Sequence, residues 1–162
     1  MLIDIAGYKQ IDALPAHYSI TEDDVRGALK SQGTKLHLGD TVLIRTGALR
    51  HWNETGADHE KIAEHDSAGM SMEAAKYLVE QGGAIFVGSD TSGFERWPSP
   101  TGSKSFMPVH DYLLIEQGMH IAEFHYLEDL AEDQVYEFCY IATVNKIKGA
   151  TAGFCLRPIA IQ

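Results

Sequence analysis

Hydrophobic and polar positions follow two rhythms along this chain, and each switch between them marks a new element. "MLIDIA", Met1 to Ala6, is apolar and β-compatible from its first residue. "YSITEDDVRGALKSQG" follows with helical spacing: Thr21 is placed to cap it, acids fill its first turn, and Gly33 stands just past its end. "DTVLIRTG" reads as a strand ending at Gly47. The polar, histidine-bearing stretch from Arg50 to Asp66 reads as loop or irregular helix. "SMEAAKYLVEQGG" is a helix capped by Ser71, with Ala74, Ala75, Leu78 and Val79 as its apolar stripe and Gly82-Gly83 as its stop. "AIFVGSD" is a buried strand, and "TSGFERWPSPTGSKS" a loop whose Phe94 and Trp97 serve as lid or interface aromatics. "PVHDYLLIEQG" is a short helix with Pro108 at its start, followed by "MHIAEFHYL" as a strand. "VYEFCYIATVNKI" and "GFCLRPIAI" close the chain as strands, the second near an edge because of Pro158. Helices alternate with strands in the middle and strands dominate the end, which predicts an α/β fold: a mixed sheet with flanking helices.

Composition narrows the partners more than it changes the fold. The 162 residues suit one domain over 1–162, with enough apolar content for a core. A formal net charge of -10 argues against nucleic acid and anionic membrane, both of which reward Lys and Arg. No apolar run approaches the roughly 18 residues of a membrane span, and the start lacks the pattern of a secretory signal. The expected location is cytoplasmic. Cys139 and Cys155 lie in apolar, strand-like runs and read as small buried thiols.

Candidate chemistry gathers in "FMPVHDYLLIEQGMHIAEFHYLEDL", Phe106 to Leu130. A helix from His110 to Gln117 rises about 10 Å. A strand covering about 16 Å to Glu123 would, if it doubles back along the helix, bring its carboxylate near the level of His110, the turn absorbing the excess. Imidazole and carboxylate converging from two elements make half of a Zn²⁺ or Mn²⁺ site. The same two residues also read as a structural or surface pair, and spacing leaves both readings open. Strand alternation puts Ile121, Glu123 and His125 on one face, with His120, Ala122, Phe124 and Tyr126 on the other. His51, His59 and His65 lie in the polar stretch and read as solvated. Asp90, at the carboxyl end of a buried strand, either orients a substrate or ties down its loop. "GSDTSG" is either an anion cradle or a polar turn. The chain has no GxSxG elbow, Walker loop or GxGxxG.

Six stretches, in order, resemble the cyclase family that includes bacterial kynurenine formamidase (arylformamidase) and isatin hydrolase. They are "LIDIAGYKQIDALPAHYSITEDDVRGAL", "LGDTVLIRTGALRHW", "SAGMSMEAAKYLVEQG", "VGSDTSGFE", "PVHDYLLIEQGMHIAEFHYLEDL" and "IKGATAGFCLRPIAI". The resemblance implies a swivelling β/β/α-like fold and hydrolysis of an amide, formamide or lactam bond at a divalent metal, Zn or Mn. Carried over by position, His110 and Glu123 match the family's late metal ligands. The family's histidine acid/base has no clear counterpart; His125, placed on the face of Glu123, is the candidate these residues offer. Phe124 stands where the family has Asn, and Gly153-Phe154 where it has Ser-Pro.

The family's principal metal motif, His-x-Gly-Thr-His-x-Asp-x-Pro-x-His, has no match here; the lone Gly33-Thr34 lacks the flanking histidines. The chain therefore resembles the C-terminal part of such an enzyme. Three expectations follow: the C-terminal portion of a hydrolase whose N-terminal segment comes from another chain or an upstream reading frame, a non-catalytic binding or interaction module, or a truncated product with no role of its own. The implied substrate is a small aryl formamide, lactam or lactone. A sheet edge left bare by a missing first segment would favour a homo-oligomer.

Overall fold

A computed structural model of the chain describes residues 1–53, 56–62, 67–103, 105–149 and 153–162. In order, the elements are β1 (Leu2–Asp4), α1 (Ile5–Lys9), β2 (Ser19–Ile20), α2 (Glu22–Gln32), β3 (Thr41–Arg45), β4 (Trp52–Asn53), β5 (Gly56–Ala57), α3 (His59–Ile62), β6 (Gly69–Met70), α4 (Met72–Lys76), β7 (Phe86–Ser89), α5 (Pro108–His110), β8 (His120–Ala122), α6 (Glu128–Glu132), β9 (Cys139–Ile141) and β10 (Ile159–Ile161). Helix α4 continues as a π-helical stretch, Tyr77–Gln81, and α5 as another, Asp111–Glu116. The α/β architecture with flanking helices stands. Its main sheet runs β1-β3-β7-β8 with every pairing parallel, and among the described residues antiparallel pairing is confined to the ribbons β9-β10 and β4-β5.

Local chemistry explains the helices. Thr21 accepts from Asp24 N while the Asp24 carboxylate accepts from Thr21 N, a complete capping box, and Gly33 ends α2 in the left-handed region at φ 71°. Ser71 caps α4 through Ala74 N, and Pro108 opens α5.

The two sheet faces differ. Ile3, Val42, Ile44 and Val87 point to the side packed by α2, α4 and α5, into the large core with Val25, Leu78 and Leu113. Leu2 and Leu43 point the other way, where Leu127 and the half-buried Tyr136, Phe138 and Tyr140 form a thin cover. A parallel sheet is stable when both faces are covered, so this second face is the sparser one. Arg45, at the end of β3, fastens the cover. Its guanidinium binds both oxygens of Glu128 at 2.9 and 2.7 Å and Asp4 at 2.9 Å, joining β3, β1 and α6.

The bare edge expected on the sheet is not found at β1. The Gln32 amide donates to Leu2 O and accepts from Asp4 N, and Leu2 N donates to Tyr136 O, so side chain and loop stand in for a neighbouring strand.

Other expectations are corrected. "MHIAEFHYL" is a strand only to Ala122, because Phe124 takes φ 54° and the alternation beyond Ala122 is lost. The two closing strands shrink to three residues each. Cys139 and Cys155 are exposed, because the ribbon that carries Cys139 has only its inner face against the body. Phe94 is no lid: it is 1 % exposed in the main core, while Trp97 packs edge-on against Phe106. In the Arg50–Asp66 stretch the described residues form a 3-10 turn, a β4-β5 ribbon and the short α3; His59 is exposed, and His65 lies outside the described residues.

Candidate metal centre

The helix begun by Pro108 and the strand β8 bring His110 and Glu123 together, with His110 Nε2 3.6 Å from Glu123 Oε1. Glu123 sits one residue past β8, where its backbone has left the sheet and its side chain is 38 % exposed. The loop here is held to β7, since Phe124 N donates to Thr91 O and His125 N to Ser89 O.

The other face of the His110 ring belongs to Glu95, which the sequence did not single out. One Glu95 oxygen accepts from both His110 N at 2.8 Å and His110 Nδ1 at 2.7 Å, so the carboxylate caps the short helix and orients the ring at once. Glu95 is 2 % exposed, held by a bridge to Met70 and flanked by the buried Phe94. Its loop lies so close to β6 that a Cβ on Gly69 would stand 2.3 Å from the Glu95 carbonyl carbon. A lone Glu inside "TSGFERWPSP" carries no periodic or motif signal, so only the fold reveals it.

Burial disfavours the imidazolium of His110, but the Glu123 carboxylate beside Nε2 and the Glu95 carboxylate that accepts from Nδ1 outweigh it and push its pKa up to about 9. The two carboxylates meet different ring nitrogens. Glu95 fixes Nδ1 and leaves Nε2 facing Glu123, an arrangement of second partner and ligand pair that suits a divalent cation taking N and O donors. Among the described residues no third His, Cys, Asp or Glu joins them. The residues present therefore fit two of the three or four ligands such an ion draws from protein.

Asp90 and His125 lie elsewhere. Asp90 is fully buried, and its oxygens accept from Thr46 N, Thr46 Oγ1, Gly47 N and Ala48 N at 2.7 to 3.1 Å. It ties the end of β3 to the end of β7, and "GSDTSG" is a turn held by the Ser89–Thr91 hydroxyl pair at 2.8 Å. Burial raises the Asp90 pKa to about 6 against the pull of the donors from Thr46 and Gly47. A cavity of about 330 Å³ opens over this tie, with Arg50, His51 and Lys61 in its lining; it contains neither His110 nor Glu123. A second, of about 380 Å³, reaches Glu95 beside Met70 and Val109. His125 does not share a face with Glu123. It is 6 % exposed, its Nε2 is 2.8 Å from the Tyr140 hydroxyl, and burial pulls its pKa down.

Comparison with known proteins agrees with this architecture. The family model described as "Putative cyclase" matches residues 1–96. A crystal structure of a novel cyclase superposes with TM-score 0.82 and 32% identity, over 99% of this chain and 52% of that one. Isatin hydrolase A from Labrenzia aggregata, bound to benzyl benzoate, gives TM-score 0.68 at 22% identity over 98% of this chain and 57% of its own. A potential metal-dependent hydrolase with cyclase activity gives TM-score 0.58 at 24% identity, over 92% of this chain and 57% of its own. No curated protein sequence matches. The chain thus spans little more than half the length of these relatives. Family model and shared fold together make the chain a member of the cyclase family, related in fold to isatin hydrolases and a potential metal-dependent hydrolase.

Proposed function

We propose that this chain supplies part of the divalent-metal site, Zn²⁺ or Mn²⁺, of a hydrolase that opens an amide, formamide or lactam bond. The observation that carries the reading is the convergence of His110 Nε2 and Glu123 Oε1, with the opposite ring nitrogen held by buried Glu95. When bound, the ion would polarise a carbonyl and acidify a water molecule near neutral pH. His110 offers the nitrogen donor and Glu123 an exposed oxygen donor. Glu95 holds Nδ1 and so leaves Nε2 as the nitrogen that would be offered to an ion. The remaining ligands and the general acid/base come from outside the described residues, because His125 is buried against Tyr140. Aryl formamides of the kynurenine formamidase type, lactams such as isatin and related lactones share this chemistry and form the substrate class.

The absence of a third ligand among the described residues favours a second reading, a binding module that keeps the scaffold without turnover. Titration of the chain with Zn²⁺ and Mn²⁺, followed by dialysis, tests the site. Weak, dialysable binding that disappears in His110→Ala is the expected result, with negligible hydrolysis of N-formylkynurenine or isatin. One tightly held ion per chain, or turnover abolished by His110→Ala, overturns the requirement for outside ligands. Binding unchanged in His110→Ala overturns the site.

A further inference from the structure

We propose, on the reading of His110 and Glu123 as metal ligands, that His125 and Tyr140 are positioning residues for Glu123, fastening the loop that carries its carboxylate. Glu123 meets His110 Nε2 at 3.6 Å, so the place of its carboxylate depends on where its own backbone runs. Just beyond it the chain turns out of the sheet at Phe124, whose φ of 54° is unfavourable for a residue with a Cβ. Such a backbone persists only where its surroundings over-determine it. Two of the restraints are backbone bonds, Phe124 N to Thr91 O at 3.1 Å and His125 N to Ser89 O at 3.0 Å. The third is a side chain. His125 is buried, and its Nε2 lies 2.8 Å from the Tyr140 hydroxyl. Tyr140 is itself seated against Phe86 of β7, with ring centroids 5.8 Å apart, so the restraint runs from the loop through β9 and back to the sheet.

The imidazole is a costly filler for this place. Its Nδ1 is buried with no hydrogen-bond partner among the described residues. A leucine would occupy the same space without leaving a polar atom unmet. What the imidazole adds is a directed bond to Tyr140, and that bond acts two residues from Glu123. Glu95 orients His110, the nitrogen donor, while His125 and Tyr140 set the oxygen donor. Each of the two donors thus has its own buried support, as partners outside a metal's ligand set commonly provide.

Tyr140→Phe keeps the ring on Phe86 and removes the hydroxyl. In the metal-free chain, hydrogen exchange at the Phe124 and His125 amides is expected to rise about 5-fold, the size of one lost hydrogen bond, while the Met119 amide keeps its rate. Mn²⁺ titration, read by paramagnetic broadening of the His110 ring signals, is expected to give a dissociation constant about 5-fold higher. In a Glu123→Gln background the same substitution leaves the constant unchanged, because its route to the ion runs through Glu123; a general loss of structure would weaken both backgrounds alike. Should Tyr140→Phe fail to fold, His125→Leu, which fills the buried space without the bond, is expected to give the same two shifts. Unchanged exchange at Phe124 and His125 overturns the restraint. Faster exchange with unchanged Mn²⁺ affinity overturns the positioning role while the metal site stands, and so does an equal weakening in Glu123→Gln. Mn²⁺ binding indifferent to His110→Ala removes the metal site itself, and this assignment with it, even where exchange responds.

Discussion

Glu95 and Asp90 are both buried acids, and their surroundings give them opposite work. Glu95 holds His110 by backbone and ring. Glu95→Gln keeps an acceptor but removes the charge, and it is expected to weaken metal binding about 10–100-fold with the fold intact, measured by competition with a chelating indicator. Asp90 satisfies the amides of Thr46, Gly47 and Ala48. Asp90→Asn offers one carbonyl oxygen to those donors and is expected to cost about 1–3 kcal/mol in urea unfolding. The pH dependence has a definite sign. The folded pKa of about 6 lies above the ordinary aspartate value of 3.8, so the native state binds the extra proton between them. Asp90's contribution to stability is then full below 3.8 and is lost as pH rises through about 6. The variant lacks that fall, which unfolding curves at pH 4 and pH 7 would show. Of the two acids, Asp90 stood out in the sequence because it ends an apolar run. Glu95 did not, because its role comes from a helix start fifteen residues away.

Among the elements, the tie between β1, β3 and α6 is the most exposed to a single change. Arg45, Asp4 and Glu128 are largely shielded, with side chains 12%, 10% and 18% exposed. Arg45→Met leaves two shielded carboxylates without a cation and is expected to cost about 3–5 kcal/mol in a urea titration. The α6 amides should then lose hydrogen-exchange protection before those of β3. The helices were legible because their signals are local: Thr21, Ser71 and Pro108 mark starts within a turn of the bonds they make. The C-terminal strands were not, because "VYEFCYIATVNKI" is rich in β-formers along its whole length while only Cys139–Ile141 finds a partner. The same holds for "MHIAEFHYL", where the turn at Phe124 ends pairing despite strand-like spacing.

At the scale of the whole molecule, one sheet divides a deep core from a thin cover. Hydrogen exchange at low protein concentration is expected to be slowest in β3 and β7, central in the sheet, and much faster in β9 and β10. Equal protection in the ribbon would show that its inner contacts with Leu2, Leu43 and Leu127 hold it as firmly as the core. The sequence by itself determined the α/β order of elements, the helix caps and the family, because each rests on short-range spacing or an ordered set of motifs; the meeting of His110 with Glu123 it offered only if the strand doubled back along the helix. The tertiary structure alone decided that Glu95 orients His110, that His125 turns inward to Tyr140, that Gln32 closes the β1 edge, and that the two cysteines face solvent. Those outcomes depend on which surfaces meet across long stretches of chain, and residue type and periodicity do not specify that.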